Sequence, residues 1–155
     1  MKKIFVLMLT FIVFNGVANA QDKVLYKETV RCLNVELDGS ETLRVIGFGR
    51  NRDDAREQAM KNAVNVVIFQ GIKDGNKGCN MKPIIEELNA REKYAEYFDI
   101  FFMDNGEYKK YVSLKDTKLR SKNKTKTKLG MGYEMTIRVM RSQLKARLKN
   151  DNILP

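Results

Sequence analysis

The sequence predicts an α+β fold in which an antiparallel sheet, built from two hairpins, carries helices on one face. Two segments, 29–37 and 133–139, alternate apolar and polar residues as half-buried strands do. The segment 53–70 instead repeats its apolar residues every three or four positions, which is typical of a helix. Taken along the chain, the elements follow the order β-β-α-α-β-β-α, and this order favours helices covering one face of an antiparallel sheet.

The first hairpin is predicted over residues 29–49. Apolar residues occupy every second position in the later part of 29–37, and Asp38-Gly39-Ser40 is a turn signal. The segment 42–49 then forms the return strand. Gly47 and Gly49, near its end, are expected to let the strand pass closely into the following helix.

The helix over 53–70 is the strongest local prediction. Asn51 can cap its first turn, where Asp53 and Asp54 complement the positive end of the helix dipole. Gly71 ends it. The inner stripe is rich in alanine, which allows the helix axis to lie close to a sheet; its alanines are Ala55, Ala59 and Ala63.

A second helical region is predicted between Pro83, which suits a first helical turn, and Phe102, with a polar bend at 89–93. Asp104-Asn105-Gly106 ends it, and Asn105 or Gly106 can adopt the left-handed conformation. Seven aromatic residues in and after this region are expected in the core: Tyr94, Tyr97, Phe98, Phe101, Phe102, Tyr108 and Tyr111.

The second hairpin is predicted to have arms at 108–119 and 128–140, and the return arm alternates clearly from Tyr133 to Val139. Ser142 is expected to cap a last helix that carries Leu144 and Leu148 on one face. Residues 151–155 form a tail.

The N-terminus predicts export. Two lysines precede the apolar run 4–14, and the small residues Ala18 and Ala20 stand where a signal peptidase reads. The run is about half of the ~20 residues that a membrane span needs, so cleavage after Ala20 is favoured over an uncleaved anchor. The expected organisation is a signal peptide at 1–20, a single domain at 21–150 and the tail, with no membrane-spanning segment in the mature chain.

Charge and composition narrow the function. The net charge is +10, and the signal holds two of the 29 basic residues and none of the 19 acidic ones, so the mature chain carries +8. Outside the cytoplasm, such a charge favours lipid head groups, acidic glycans or acidic protein faces over nucleic acid. The chain has no histidine, which rules out His-dependent catalytic and zinc sites. We therefore expect no enzyme and no cofactor or metal.

Cys32 and Cys79 are the two cysteines of the chain, and an even count in an oxidising compartment predicts one disulfide. Closing a loop of about 47 residues stabilises a fold by roughly 4 kcal/mol on the chain-entropy account. The alternative is a pair of free thiols, with Cys32 filling a strand position.

A basic segment at 118–128 is the candidate contact surface for a partner or polyanion. A basic residue stands at every second position, so an extended strand would carry all of them on one face. The segment lacks the aromatic residues of a single-strand nucleic-acid platform, and the alternative interpretation is a solvated tip that guards edge strands. Its basic residues are Lys118, Arg120, Lys122, Lys124, Lys126 and Lys128.

Two other interpretations are weaker. Gly47-Phe48-Gly49 resembles a dinucleotide-binding loop, but Arg52 stands where the third glycine is required. The adjacent acidic pairs, Asp53-Asp54 and Glu86-Glu87, point in different directions along a helix. They are poor candidates for a carboxylate-based hydrolase.

The stretch from Val45 to Ala63 joins a strand, a glycine-rich turn and an alanine-stepped helix. Together with the strand Tyr133–Val139 and the leucine-containing helix after it, this stretch resembles the N-terminal domain of the flagellar assembly protein T and the related small outer-membrane lipoprotein domain. The resemblance would cover about residues 40–149. It implies an α+β envelope module that works by assembly with other proteins and has no catalytic residues.

These observations lead to one functional expectation and two alternatives. We expect a non-enzymatic module of the periplasm or outer membrane, or a fully secreted one, that binds another envelope protein or assembles with itself. The first alternative is a binder of acidic glycan or lipid head groups through residues 118–128, and the second is a small carboxylate-based hydrolase.

Overall fold

The structure is a computed structural model, and it describes residues 30–114, 124–127 and 130–155. These residues form a mixed sheet in the order β3-β1-β2-β6-β4, and β5 also pairs with β6. The strands are β1 (Val30–Val35), β2 (Glu41–Gly49), β3 (Asp74–Gly75), β4 (Val112–Ser113), β5 (Lys124–Thr127) and β6 (Gly130–Val139). The α-helices are α1 (Arg52–Asn65), α2 (Ala90–Lys93), α3 (Ala95–Phe101) and α4 (Arg141–Asn150).

The first hairpin is confirmed, because β1 and β2 pair antiparallel from Val30 opposite Val45 to Val35 opposite Glu41. The predicted sheet was wholly antiparallel, and this is wrong at one edge. β3 pairs with β1 in parallel, with Arg31 opposite Asp74. A parallel neighbour requires a crossover connection, and the connection from β1 to β3 contains β2, α1 and a π-helical turn.

The helix predicted over 53–70 exists, with a change of geometry at its end. Asn51 caps it as predicted, because its side chain accepts the backbone N–H groups of Asp53 and Asp54 at 2.9 Å each. After Asn65 the chain continues as a π-helical turn, Val66–Gln70. Gly71 ends the turn, with a φ of 70°.

The predicted helical start at Pro83 is wrong, and so is the bend at 89–93, where α2 lies. Residues 84 and 85 instead run beside the π-helical turn. The N–H groups of Ile84 and Ile85 donate to the carbonyls of Val67 and Ile68 at 2.9 Å each. Asn89, with a φ of 62°, then turns the chain into α2.

Around the second hairpin the return strand is confirmed as β6, but its partner arms differ from the prediction. Residues 107–111 form a 3₁₀ helix, so the strand predicted at 108–119 is wrong at 108–111. Val112 and Ser113 do form a strand, β4, which pairs antiparallel with β6. β5 pairs with β6 from Thr127 opposite Gly130 to Lys124 opposite Tyr133. Lys124 and Lys126 therefore lie in a strand of the sheet.

The last helix begins with Met140 at its N-cap position, and Ser142 makes no cap. The Ser142 hydroxyl instead donates to the Gly39 carbonyl at 3.4 Å. The tail at 151–155 packs against the domain, because the Ile153 N–H donates to the Leu148 carbonyl and Ile153 is buried.

The described core lies between the helices and one face of β2 and β6. It contains Leu43 and Val45 of β2, Met135 and Ile137 of β6, and the alanine stripe of α1. The aromatic cluster extends it as predicted: Phe98, Phe101 and Tyr108 are buried, while Tyr94, Tyr97, Phe102 and Tyr111 are partly buried against it. None of the helices in the described part of the chain has the length and apolar character that a membrane span requires.

Candidate functional site

Two of the six basic residues proposed for partner contact fall within the described chain. Lys124 and Lys126 lie two positions apart in β5, opposite Tyr133 and Met131 of β6. The Lys124 side chain is exposed. The other four, Lys118, Arg120, Lys122 and Lys128, lie outside the described residues.

A cleft of about 430 Å³ opens at the other end of the sheet. It forms where β2 begins, where β6 gives way to α4, and where the loop after Cys79 crosses these two elements. Its walls combine exposed charged groups with the apolar side chains of Val35, Pro83 and Ile84. No local sequence pattern predicts a site here.

A buried ion pair forms the base of this cleft. The Glu41 side chain is 1% exposed and that of Arg141 is 11% exposed, and Arg141 Nη1 lies 3.4 Å from Glu41 Oε2. Glu41 Oε1 also accepts the Asn80 N–H at 3.0 Å. The start of β2, the start of α4 and the loop after Cys79 therefore meet at one carboxylate.

The loop over the cleft is held by several independent contacts. Arg141 Nη2 donates to the Lys82 carbonyl at 2.7 Å, and the Ile72 N–H donates to the Met81 carbonyl at 2.9 Å. The predicted Cys32–Cys79 disulfide is confirmed, with 6.3 Å between the two Cα atoms. These contacts fix the positions of Asn80 and Lys82 relative to β2 and α4.

The rim of the cleft is positively charged. Lys82 lines it from the loop after Cys79. Lys145 lines it from α4, one helical turn after Arg141. Neither lysine has an ion-pair partner among the residues that the structure describes. Glu86 and Glu41 are the carboxylates of the lining, so three cations against two carboxylates leave a net lining charge of +1.

Burial raises the pKa of the Glu41 carboxyl above its ordinary value, against the opposing effects of Arg141 and of the Asn80 N–H. A raised carboxyl pKa in a cleft is a feature of general acids. Here the carboxyl is 1% exposed and both of its oxygens have partners, so it does not reach a molecule in the cleft. The arrangement suits holding a ligand beside Arg141 more than transferring a proton.

A second charged cluster ties α1 to the 3₁₀ helix. Glu57 accepts the Tyr108 hydroxyl and lies 2.7 Å from Lys109 Nζ. On the next turn of α1, Lys61 Nζ lies 2.7 Å from Asp104 Oδ1. Tyr108 is fully buried and its hydroxyl is bonded to Glu57, so we interpret this cluster as structural.

The side chains that could hold a metal ion do not gather within the described ranges: no group of three or more Cys, Asp or Glu residues there is placed to do so. The adjacent pair Asp53-Asp54 is engaged locally, because Asp53 pairs with Arg56 and Asp54 with Arg50. Glu87 of the other adjacent pair lies 2.7 Å from Lys93 Nζ.

Glu41 and Arg141 were not predicted as site residues, since they stand 100 residues apart in the chain. One signal was available. Glu41 is in register with Leu43 and Val45, the core positions of β2, and a charged residue at a core position needs a buried partner. The partner itself depends on how β6 leads into α4, which no local pattern reveals.

No family model, curated protein or solved structure matches this chain. The likeness to the flagellar assembly protein T domain therefore stays a prediction from the segments at 45–63 and 133–139.

Proposed function

We propose that this protein is an exported, non-enzymatic module of the cell envelope that binds another envelope protein through its basic segment at 118–128. One observation carries the proposal. β5 lies at an edge of the sheet within the basic segment 118–128, and it carries an exposed Lys124 with no ion pair among the described residues. A strand anchored on β6 presents its side chains in a defined order, as a recognition surface requires.

The distribution of ion pairs supports this proposal. Many of the described carboxylates already have a basic partner within the protein, among them Glu57, Asp74, Asp99 and Asp151. The excess of +8 in the mature chain must therefore rest on basic residues that lack such partners. A cationic surface speeds encounter with an acidic protein and binds it in a salt-sensitive way.

Export, and a place in the periplasm, at the outer membrane or outside the cell, belong to the same proposal and rest on residues 1–20. The kinship with envelope assembly domains belongs to it as well. The competing function is binding of acidic glycan or lipid head groups by the same lysines. These ligands carry negative charge, as an acidic protein face does.

Photo-crosslinking in intact cells tests the partner. A photoreactive residue at Asn123, beside Lys124, is expected to give a discrete protein adduct whose mass identifies the partner. The matched control places the same residue at Asn150, which is exposed at the end of α4, and should not give that adduct. Replacing Lys124 and Lys126 by glutamine should reduce the adduct at Asn123. A diffuse glycan or lipid adduct supports the competing function, and no adduct at Asn123 contradicts both.

A further inference from the structure

We propose that the cleft beside the buried ion pair is a second binding site, for a small ligand that carries one carboxylate on an apolar body. This cleft is separate from the basic segment at 118–128. β6 runs from Met131, opposite Lys126, to Val139, opposite Glu41 at the cleft. Eight steps along a strand span roughly 27 Å, so one small ligand cannot reach both surfaces.

The cations of the cleft determine the charge of the ligand. Lys82 and Lys145 come from two different elements and line the same space. Arg141 contacts both of these elements, because it donates to the Lys82 carbonyl and stands one helical turn before Lys145 in α4. A guanidinium has five N–H donors, so it can bind a carboxylate in addition to its contacts with Glu41 and Lys82. An anion bound there would also pair with the charges of Lys82 and Lys145, for which no ion pair exists among the described residues.

The acidic groups of the cleft limit the charge of the ligand. Glu41 offsets Arg141, and Glu86 offsets one lysine, so the lining has a net charge of +1. A monocarboxylate neutralises that charge, whereas a phosphate dianion would leave an excess negative charge beside Glu41. The cleft therefore favours a carboxylate over a phosphate.

The uncharged walls determine the body of the ligand. Val35 is 36% exposed although it is apolar, and Pro83 and Ile84 face the same space. Covering Val35 removes apolar surface from water, which favours a ligand with an aliphatic group next to its carboxylate. A free volume of about 430 Å³ is within the range of sites that hold small molecules.

The disulfide keeps this site preformed. Cys79 directly precedes Asn80, which binds Glu41, and Lys82 follows three residues after Cys79. The loop that carries Lys82 is thus bound covalently to β1. A ligand that enters the cleft does not have to order this loop, and this lowers the entropic cost of binding.

The test uses two molecules that differ only in the acid group, N-acetyl-leucine and N-acetyl-leucinamide. Each is titrated into ¹⁵N-labelled protein while the backbone amide signals are followed by NMR. We expect N-acetyl-leucine to shift the amides of Gly39, Asn80 and Ser142 saturably, with a dissociation constant on the order of 1–10 mM. N-acetyl-leucinamide should not shift them, and equal shifts with both molecules would overturn the proposal.

Variants of the exposed lysines test the site without disturbing the fold. The double variant Lys82→Gln/Lys145→Gln should weaken binding of N-acetyl-leucine about tenfold, since each loss removes a charged contact. Lys149→Gln, one turn further along α4, is the matched control and should bind like the wild type. Unchanged affinity in the double variant overturns the proposal.

Inorganic phosphate tests the charge argument. It should shift the same three amides less at equal concentration than N-acetyl-leucine does. Tighter binding of phosphate would show that the assignment of a carboxylate ligand is wrong. Because Asn123 is not part of the cleft, these results and the crosslinking results fail or succeed separately.

Discussion

The pair Glu41–Arg141 differs from the other described ion pairs in its burial. Most of the others join exposed side chains, such as Arg31 with Asp74, and exposed pairs contribute about 1 kcal/mol or less. A buried pair is weak evidence of stability, because desolvation offsets much of the attraction, but removing one partner alone is costly. We interpret this pair as fixing how β2, α4 and the loop after Cys79 meet.

Glu57 is the residue at which stability should depend on acidity. Burial raises the pKa of its carboxyl, but the hydrogen bonds from Lys109 and Tyr108 together outweigh burial and hold the pKa below its ordinary value of 4.5. A carboxyl whose pKa is lowered by folding stabilises the folded state when it is ionised. Its contribution is complete above pH 4.5 and is lost as the pH falls through the lower pKa of the folded state.

The first prediction concerns Tyr108→Phe. The variant removes the hydroxyl that donates to Glu57, so the free energy of unfolding should fall by about 1–2 kcal/mol at pH 7. The difference from the wild type should shrink as the pH falls below 4.5 and through the lowered pKa of Glu57, at which its carboxyl takes up a proton. Urea unfolding at several pH values measures both effects.

Tyr111→Phe is the control for this prediction, because it removes a hydroxyl outside the Glu57 network. It should change the free energy of unfolding by less than about 0.5 kcal/mol. A loss in Tyr108→Phe that stays constant from pH 7 to pH 3 would contradict the role assigned to Glu57.

At the level of elements, the contact between β2 and α1 depends on the absence of side chains. Ala55, Ala59 and Ala63 are fully buried. A Cβ atom at Gly47 would collide with the Ala55 carbonyl oxygen and lie 2.8 Å from the Ala59 Cβ. Backbone therefore meets backbone here, and the helix lies closer to the sheet than larger residues allow.

Gly47→Ala should accordingly be severe. The atom that the new methyl group meets belongs to the backbone, so no side-chain rotation relieves the overlap, and α1 must move. We expect a loss of about 3 kcal/mol or more in the free energy of unfolding, measured by urea denaturation.

Gly78→Ala is the matched comparison. Gly78 has a φ of 104°, and an added Cβ would meet no atom within 4 Å. Its cost is that of backbone strain alone, about 1 kcal/mol. Equal losses at the two glycines would mean that close approach of α1 is not the reason for Gly47.

At the scale of the whole molecule, the disulfide joins the sheet to the loop that builds the cleft. It links β1 to a point 47 residues later, beyond α1, the π-helical turn and β3. Gly75 lies so close to Cys32 that a Cβ atom added at this glycine would be 2.8 Å from the Cβ of the cysteine. The bridge thus closes the end of the crossover connection.

Replacing both cysteines with alanine should lower the free energy of unfolding by about 4 kcal/mol. The effect on local opening should be uneven. Hydrogen exchange should accelerate most at the Ile72 and Asn80 amides, which bind across this loop, and least at Leu144 in α4. Uniform acceleration across these amides would contradict a local role for the bridge.

Local chemistry in the sequence was sufficient to predict several elements. Asn51 and the acidic residues after it predicted where α1 begins. Alternation predicted β1 and β6, and the turn signal at 38–40 predicted β2 as the return strand of the first hairpin. An even cysteine count predicted the bridge. These features are encoded within a few residues, or in a count, so they do not depend on how distant segments meet.

Only the tertiary structure decided the rest. The carbonyls of Val67 and Ile68 accept the N–H groups of Ile84 and Ile85, so the segment predicted to start a helix lies beside the π-helical turn instead. The parallel strand β3 and the pair Glu41–Arg141 likewise join residues far apart in the chain. Backbone and charged groups must find partners once they are buried, and which partners they find depends on the packing of the whole domain.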